Sequence, residues 1–135
     1  MPRVPAYRIS QVARLLGVSD DTVRRWADSG RLPVTRDGSG RRSIDGADLA
    51  KFAASLVDET DPEAAARHSA RNRLTGIVTK VTSDNVMAQV ELVAGPFRMV
   101  SLLSREAADQ LALAPGVMAV AVVKATNVTV ELPGG

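Results

Sequence analysis

Cysteine is absent from the 135-residue chain, so neither a disulfide framework nor a thiolate metal site can be built. Histidine occurs once, as His68. It has no metal-ligand companion and reads as a surface or hinge residue. Aromatic residues make up only 3% of the chain, and Trp26 is the single tryptophan. One indole in a small domain reads as core rather than as a ligand platform. Long hydrophobic runs are missing as well. The most apolar stretch, Val117 to Ala125, is far too short to cross a bilayer. The start, Met-Pro-Arg-Val-Pro, lacks the apolar centre of a signal peptide. A soluble, cytoplasmic protein without membrane contact is expected. No paired carboxylates, histidine cluster or activated nucleophile stands out, so an enzyme is not expected.

What is present is unevenly distributed. The formal charge is only +2, but the amino-terminal part is basic. Arg3, Arg8, Arg14, Arg24, Arg25, Arg31, Arg36, Arg41, Arg42 and Lys51 stand there against Asp20, Asp21, Asp28, Asp37, Asp45 and Asp48. A localised basic part suits a polyanionic partner better than the whole-chain figure implies. The length allows one domain or two very small ones. Two minimal domains each bury little surface, which favours oligomers.

The stretch Ser10 to Phe52 carries the clearest pattern. A short helix from about Ser10 to Leu16 presents Val12, Leu15 and Leu16 on one face. Gly17 permits a tight turn and Ser19 is a good N-cap. A second helix from about Asp20 to Ser29 presents Val23 and Trp26, and Gly30 closes it. Helix, tight turn and second helix is the plan that enters a DNA major groove. Leu32 to Thr35 reads as a short strand. The glycine-rich tip Arg36-Asp37-Gly38-Ser39-Gly40-Arg41-Arg42 follows, suited to a phosphate backbone or minor groove. It lacks the spacing and the Lys-Ser/Thr of a nucleotide-cradling loop. Asp45 is placed to cap a last helix whose apolar face is Leu49, Phe52, Ala53 and Leu56. Residues 1–8 read as an arm, because Pro2 and Pro5 disfavour a regular start.

Ile9-Ser10-Gln11-Val12-Ala13, Leu16-Gly17-Val18-Ser19, Thr22-Val23-Arg24-Arg25-Trp26, Gly30-Arg31-Leu32-Pro33, Arg41-Arg42-Ser43-Ile44 and Asp48-Leu49-Ala50-Lys51-Phe52 together resemble the MerR-like and excisionase-like winged helix-turn-helix family. The resemblance covers roughly residues 7–56. It implies double-stranded DNA as a partner, held by the second helix and the wing. The candidate contacts are Thr22, Arg24, Arg25, Arg36, Arg41 and Arg42. Asp20 and Asp21 favour the positive end of the second helix but repel phosphate, so that end is not expected to face the backbone directly.

Asp58-Glu59-Thr60-Asp61-Pro62-Glu63 breaks the pattern and reads as a linker. Three regions follow: 1–56 as the DNA-binding domain, 57–67 as the linker and 68–135 as a second domain. From Leu74 onward the texture is β. Strands are expected over Leu74 to Thr82, Met87 to Leu92, Phe97 to Leu103, Val117 to Ala125 and Val128 to Leu132. A short helix over Arg105 to Leu111, capped by Ser104, interrupts them. Five short strands and one helix suit a small closed or nearly closed barrel. The fold class is therefore two small domains, a mainly-α winged helix-turn-helix followed by a small OB-related β-barrel with one short helix.

Ser69-Ala70-Arg71-Asn72-Arg73-Leu74-Thr75-Gly76 resembles the opening of the molybdenum-pterin-binding (Mop, TOBE-like) domain. Val120 to Val128 resembles its last segment, and Leu111-Ala112-Leu113 with Gly116 matches its helix end and turn. The resemblance implies a barrel that binds molybdate or tungstate between subunits. It carries over to Ser69, Ala70 and Arg71 in the opening motif and to Lys124, Ala125 and Thr126 in the closing one. Ser101 and Leu102 lie in a segment that approaches from a neighbour. Ala107 departs from the family, which often has a hydroxyl residue there. A tetrahedral dianion needs donors from several directions and positive charge. Hydroxyls of Ser69 and Thr126, cationic donors of Arg71 and Lys124, and backbone N–H groups near Ala70 and Ala125 are of that kind.

The reading is a DNA-binding transcriptional regulator that senses molybdate or tungstate. It assembles as a homo-oligomer, a dimer or a higher even number such as a hexamer. Two rivals share the residues. In one, the second domain only oligomerises. In the other, the chain stores or buffers molybdate.

Overall fold

The computed structural model describes residues 4–57 and 70–134. The chain divides into two compact units, Met1–Glu59 and Thr60–Gly135. The expected linker, with His68, lies mostly outside the described residues, as does Ser69. No helix among the described residues is long and apolar enough to cross a membrane.

The first unit runs β1 (Ala6–Tyr7), α1 (Ile9–Leu16), α2 (Asp20–Asp28), β2 (Thr35–Arg36), β3 (Arg42–Asp45) and α3 (Gly46–Leu56). Gly17 ends α1 at φ 69°, in the left-handed region that glycine enters without steric penalty. The Thr22 N–H then donates to the Ser19 hydroxyl at 3.1 Å, which satisfies a free donor at the start of α2. Val12 and Ala13 of α1, Val23 of α2, Leu32, Ile44 of β3, and Leu49 and Phe52 of α3 form one buried core. Trp26 packs edge-on against Phe52 with ring centroids 4.9 Å apart, as expected of a core indole.

Three local expectations change. The arm is strand at its end, because Ala6 and Tyr7 pair antiparallel with Asp45 and Ile44. That pairing carries Tyr7 onto the edge of the core. The strand expected over Leu32 to Thr35 is only Thr35–Arg36. The Leu32 N–H is already bonded to the Trp26 carbonyl, and Pro33 has no N–H to offer a ladder. Asp45 occupies the N-cap of α3, but its side chain makes no cap hydrogen bond.

Among the described residues the second unit is a curled four-stranded antiparallel sheet, a half-barrel, with one α-helix. Its strands are β4 (Asn72–Ser83), β5 (Met87–Ala94), β6 (Phe97–Ser104) and β7 (Met118–Val123), in the order β6-β5-β4-β7. Between β6 and β7 lies α4 (Arg105–Gln110), whose Ala107 N–H donates to the Ser104 hydroxyl as expected of the cap. Alternation selects the inner face. Val78, Ala88, Val90, Leu92 and Ala94 are buried, with Ala108 of α4 against them. The β4–β5 turn is set by the Asp84 carboxylate, which accepts from the Met87 and Val86 N–H groups at 2.8 Å. Those two bonds hold the Asp84 carboxyl below its ordinary pKa.

The fold class is the expected one, with one strand fewer. Val128 to Leu132 forms no strand; a 3-10 turn at Ala125–Asn127 precedes it. Val130 is 91% exposed and Leu132 89%. Their alternation marks one face for burial, but among the described residues no strand takes it. The sheet therefore keeps two edges, β6 and β7, and does not close.

Gly76 fixes how closely β4 and β5 approach. A methyl group there would lie 2.3 Å from the Val93 carbonyl oxygen and 2.8 Å from its carbon. Both obstacles are backbone and cannot rotate away. Gly76→Ala should destabilise the second unit by about 1–3 kcal/mol, the ordinary cost of overpacking. Gly38→Ala meets nothing within 4 Å and serves as the control. Urea unfolding of both variants is the check, and equal midpoints would contradict the close approach.

Candidate functional site

The first candidate surface combines the outer side of α2 with the β2–β3 wing. Thr22 is half-buried at the start of α2. Its hydroxyl lies 2.9 Å from that of Ser19 and accepts from Arg25 Nη2 at 3.2 Å. Arg24 and Arg25 are both exposed, but they are not equivalent. Arg24 is held by its own helix, 2.9 Å from Asp21 and 3.9 Å from Asp20. These exposed pairs stabilise little in themselves, yet they offset the charge that Arg24 presents. Among the described residues, Arg25 has only the neutral Thr22 hydroxyl.

The wing is built around Asp37. Its carboxylate accepts from the Ser39 hydroxyl at 2.7 Å, the Ser39 N–H at 2.9 Å and the Arg41 N–H at 3.1 Å. Arg8, just ahead of α1, pairs with it at 3.1 Å. The Gly40 N–H donates to the Asp37 carbonyl, with Gly40 at φ 81°. An Asp-Gly-Ser-Gly run makes such a turn because a short carboxylate reaches the next amides and glycine accepts positive φ. Arg36 Nη1 donates to the Gly40 carbonyl at 2.8 Å. Arg42 Nη2 donates to Asp28 at 2.8 Å. Arg41 is exposed, and among the described residues no acceptor takes its guanidinium.

The six cationic and polar residues expected to meet DNA thus lie on two neighbouring elements of one unit, α2 and the wing. The structure grades them by what each is already bound to. Asp37 and Asp28 were not singled out from sequence. The Asp37-Gly38-Ser39 spacing is a local signal that identifies the first. Nothing local reveals the second, whose partner is fourteen residues away.

The second candidate site lies at one end of the half-barrel. Strands β4 and β7 pair antiparallel, with Asn72 opposite Val123. Arg71 immediately precedes the first of these and Lys124 immediately follows the second. The opening and closing motifs, far apart in sequence, therefore meet at the same end of one strand pair. Asn72 Nδ2 clamps them by donating to the Val123 carbonyl at 3.0 Å, a role sequence did not reveal. Lys124 caps the 3-10 turn Ala125–Asn127, and its carbonyl accepts the Asn127 N–H at 2.9 Å. Lys124, Ala125 and Thr126 are all exposed, and Ala70 is half-buried. Arg71 is exposed and engaged in an interaction of its own. Ser101 stands on β6, opposite Val90 of β5 and at the far edge of the sheet. It lines an apolar cleft that also reaches Val122 and Val123. Among the described residues no group of three or more His, Cys, Asp or Glu is arranged to hold a metal.

Residues 6–56 match the helix-turn-helix domain family, and residues 68–130 match the TOBE domain family. Over 68 residues the chain is 41% identical to the molybdenum-pterin-binding protein MopA of Rhodobacter capsulatus. That match takes in 50% of this chain and 26% of MopA, so the chain spans about a quarter of its relative's length. Two solved structures are also similar. A molybdate binding protein from Sporomusa ovata is 29% identical, with 48% of this chain and 97% of that one covered at a TM-score of 0.47. MopII from Clostridium pasteurianum is 35% identical, with 48% and 98% covered at a TM-score of 0.45.

Asp37 gives this site a pH signature. The Ser39 hydroxyl, then the Arg41 N–H, hold its carboxyl at about 2, below its ordinary 3.8. A folded-state pKa below the unfolded one means the wing contacts contribute fully above the unfolded value. They are lost as pH falls through about 2. Carboxyl-detected NMR titration should give Asp37 a midpoint near 2, and Ser39→Ala should raise it. An ordinary midpoint in the intact protein would show that the wing is not organised by this carboxylate.

Proposed function

We propose that this chain, a fusion of a helix-turn-helix domain with a TOBE, Mop-like molybdenum-pterin-binding domain, is a cytoplasmic DNA-binding regulator whose second domain binds molybdate or tungstate and assembles subunits. The observation that carries the reading is the pairing of these two domains in one chain. Both domains are of regulatory or ligand-binding kinds, and the role proposed is regulatory rather than enzymatic.

On the DNA side the reading rests on α2 and the wing, with Thr22, Arg24, Arg25, Arg36 and Arg41 as the contact set and Arg42 on the same face, bound to Asp28. Arg25 and Arg41 are its strongest members, because among the described residues no carboxylate is bound to either. On the ligand side it rests on the β4–β7 pairing. That pairing gathers Ala70 and Arg71 beside Lys124, Ala125 and Thr126, with Ser69 next in the chain. Cationic and N–H donors at one edge suit a tetrahedral dianion. Ser101, across the sheet, belongs to the same reading as a donor to a site shared between copies. The open β6 and β7 edges and the uncovered Val130 and Leu132 favour assembly. A dimer or a higher even number, such as six, then supplies paired recognition helices for two half-sites. For the ligand to regulate, it must bind two states of the assembly with different affinity.

Two measurements test the reading. The Arg25→Gln, Arg41→Gln double variant should bind duplex DNA at least tenfold more weakly by fluorescence anisotropy at fixed salt. Its log–log salt slope should be shallower by about two, one per lost phosphate contact. Unchanged affinity in a folded double variant would sink the assignment of this face.

Isothermal titration of ligand-stripped protein with molybdate should give saturable heat. Lys124→Ala should weaken binding about tenfold to a hundredfold, the worth of a charge-assisted donor. Light scattering on the same samples gives the number of chains per particle. No heat at millimolar molybdate, from a protein still assembled, would leave the second domain as an oligomerisation module.

A further inference from the structure

Resting on the DNA-binding reading, we propose that Asp28 and Arg42 form a positioning pair that fixes the wing against the end of α2, and that Arg42 serves DNA binding through this role rather than by touching the duplex.

The two residues sit at a junction. Asp28 is the last residue of α2 and Arg42 the first of β3. Their contact, Nη2 to Oδ1 at 2.8 Å, is the one ion pair among the described residues that joins α2 to the wing ladder. The exposure is asymmetric. The Asp28 side chain is 63% exposed and that of Arg42 only 33%. Arg42 Nη1 is shut off from solvent and has no hydrogen-bond partner. A guanidinium in that state has little to offer a phosphate arriving from outside.

The ladder explains why such a pair is needed. Arg42 stands directly opposite Arg36 in the β2–β3 register, and like charges directly opposite each other are destabilising. The ladder is only two residue pairs long, so it has few hydrogen bonds with which to resist. Arg36 turns away to the Gly40 carbonyl, and Asp28 neutralises Arg42. The helix gains as well. A carboxylate at a helix C-terminus opposes the macrodipole, and a bound guanidinium offsets it. Ala27, Val34 and Thr35 line a small open cleft with these three charged residues. Without the pair, the wing has room to shift relative to α2.

Asp28→Asn removes a negative charge from a DNA-binding face. If Arg42 contacted the duplex directly, the substitution would free it and binding would tighten. As a positioning pair, its loss weakens binding instead. We expect Asp28→Asn, Arg42→Gln and the double variant of the full chain each to bind a fluorescein-labelled duplex about threefold to tenfold more weakly. The double should be no worse than the worse single, since the two residues act as one unit. Their salt slopes should match that of the unsubstituted chain, whereas Arg25→Gln should lose about one from the slope. Arg42→Lys, which keeps the charge, should recover part of the affinity. Tighter binding by Asp28→Asn, or a slope reduced in Arg42→Gln, overturns the proposal. Amide hydrogen exchange provides a readout that needs no DNA. The β2–β3 ladder amides should exchange several-fold faster in Asp28→Asn, which leaves Arg42 without its neutralising partner opposite Arg36, and no faster than that in the double, with α1 unchanged. Unaltered ladder exchange overturns the proposal whether or not the chain binds a duplex. A chain that binds no duplex overturns the DNA-binding reading itself, and exchange then decides the pair alone.

Discussion

The antiparallel pairing of β4 with β7 is the contact on which the second unit depends. Those strands are separated by two others and a helix in sequence, yet they share a ladder from Asn72–Val123 to Ile77–Met118. Long-range pairing of this kind is entropically costly to form, because the intervening chain must be ordered first. Once formed, it does two things together. It curls the sheet so that Val78, Ala88, Val90 and Leu92 face inward. It also sets the residues before β4 beside those after β7. Packing and candidate ligand site therefore arise from one set of backbone hydrogen bonds, and a change that loosens the ladder reaches both.

The first unit is governed by carboxylates rather than by its arginines. Asp20 and Asp21 hold Arg24, Asp28 holds Arg42, and Asp37 gathers the wing amides and Arg8. Every one of these groups is exposed or half-buried, so each pair is weak on its own. Their collective effect is selection. They decide which guanidinium groups are committed to the protein and which stay free, and they give a short glycine-rich loop a fixed shape. A count of basic residues overstates the charge such a face presents.

Much of this was legible in the sequence, for identifiable reasons. Ser19 and Ser104 cap helices where expected, because a cap is a local event involving three or four residues. The β-strands from Asn72 to Ser104 form close to their expected bounds, because runs of β-favouring residues and the turn residues between them are local signals. What was not legible is non-local. Asp28 meets Arg42 only after the chain has turned through the wing. Asn72 reaches the Val123 carbonyl across 51 residues. The strand expected at Val128 to Leu132 failed for a related reason. Alternation states that a segment is suited to pair, while pairing also requires an available neighbour. For the candidate sites, residue type and motif resemblance named the residues, and the fold sets them on two surfaces. Only the hydrogen-bond partners distinguish Arg24 from Arg25, or Arg41 from Arg42.

The two unclosed edges of the half-barrel have a kinetic meaning. Strands β6 and β7 present backbone donors and acceptors to water beside exposed Leu102, Met118 and Val120. An edge of this kind accepts any extended chain, whatever its origin. In the proposed assembly, the correct cover of a freshly made molecule and an incorrect one compete for the same row of hydrogen bonds. In that assembly the yield of the native form would follow the rate of meeting a proper partner relative to misassociation, and so concentration and temperature during synthesis, as much as the stability of the folded chain.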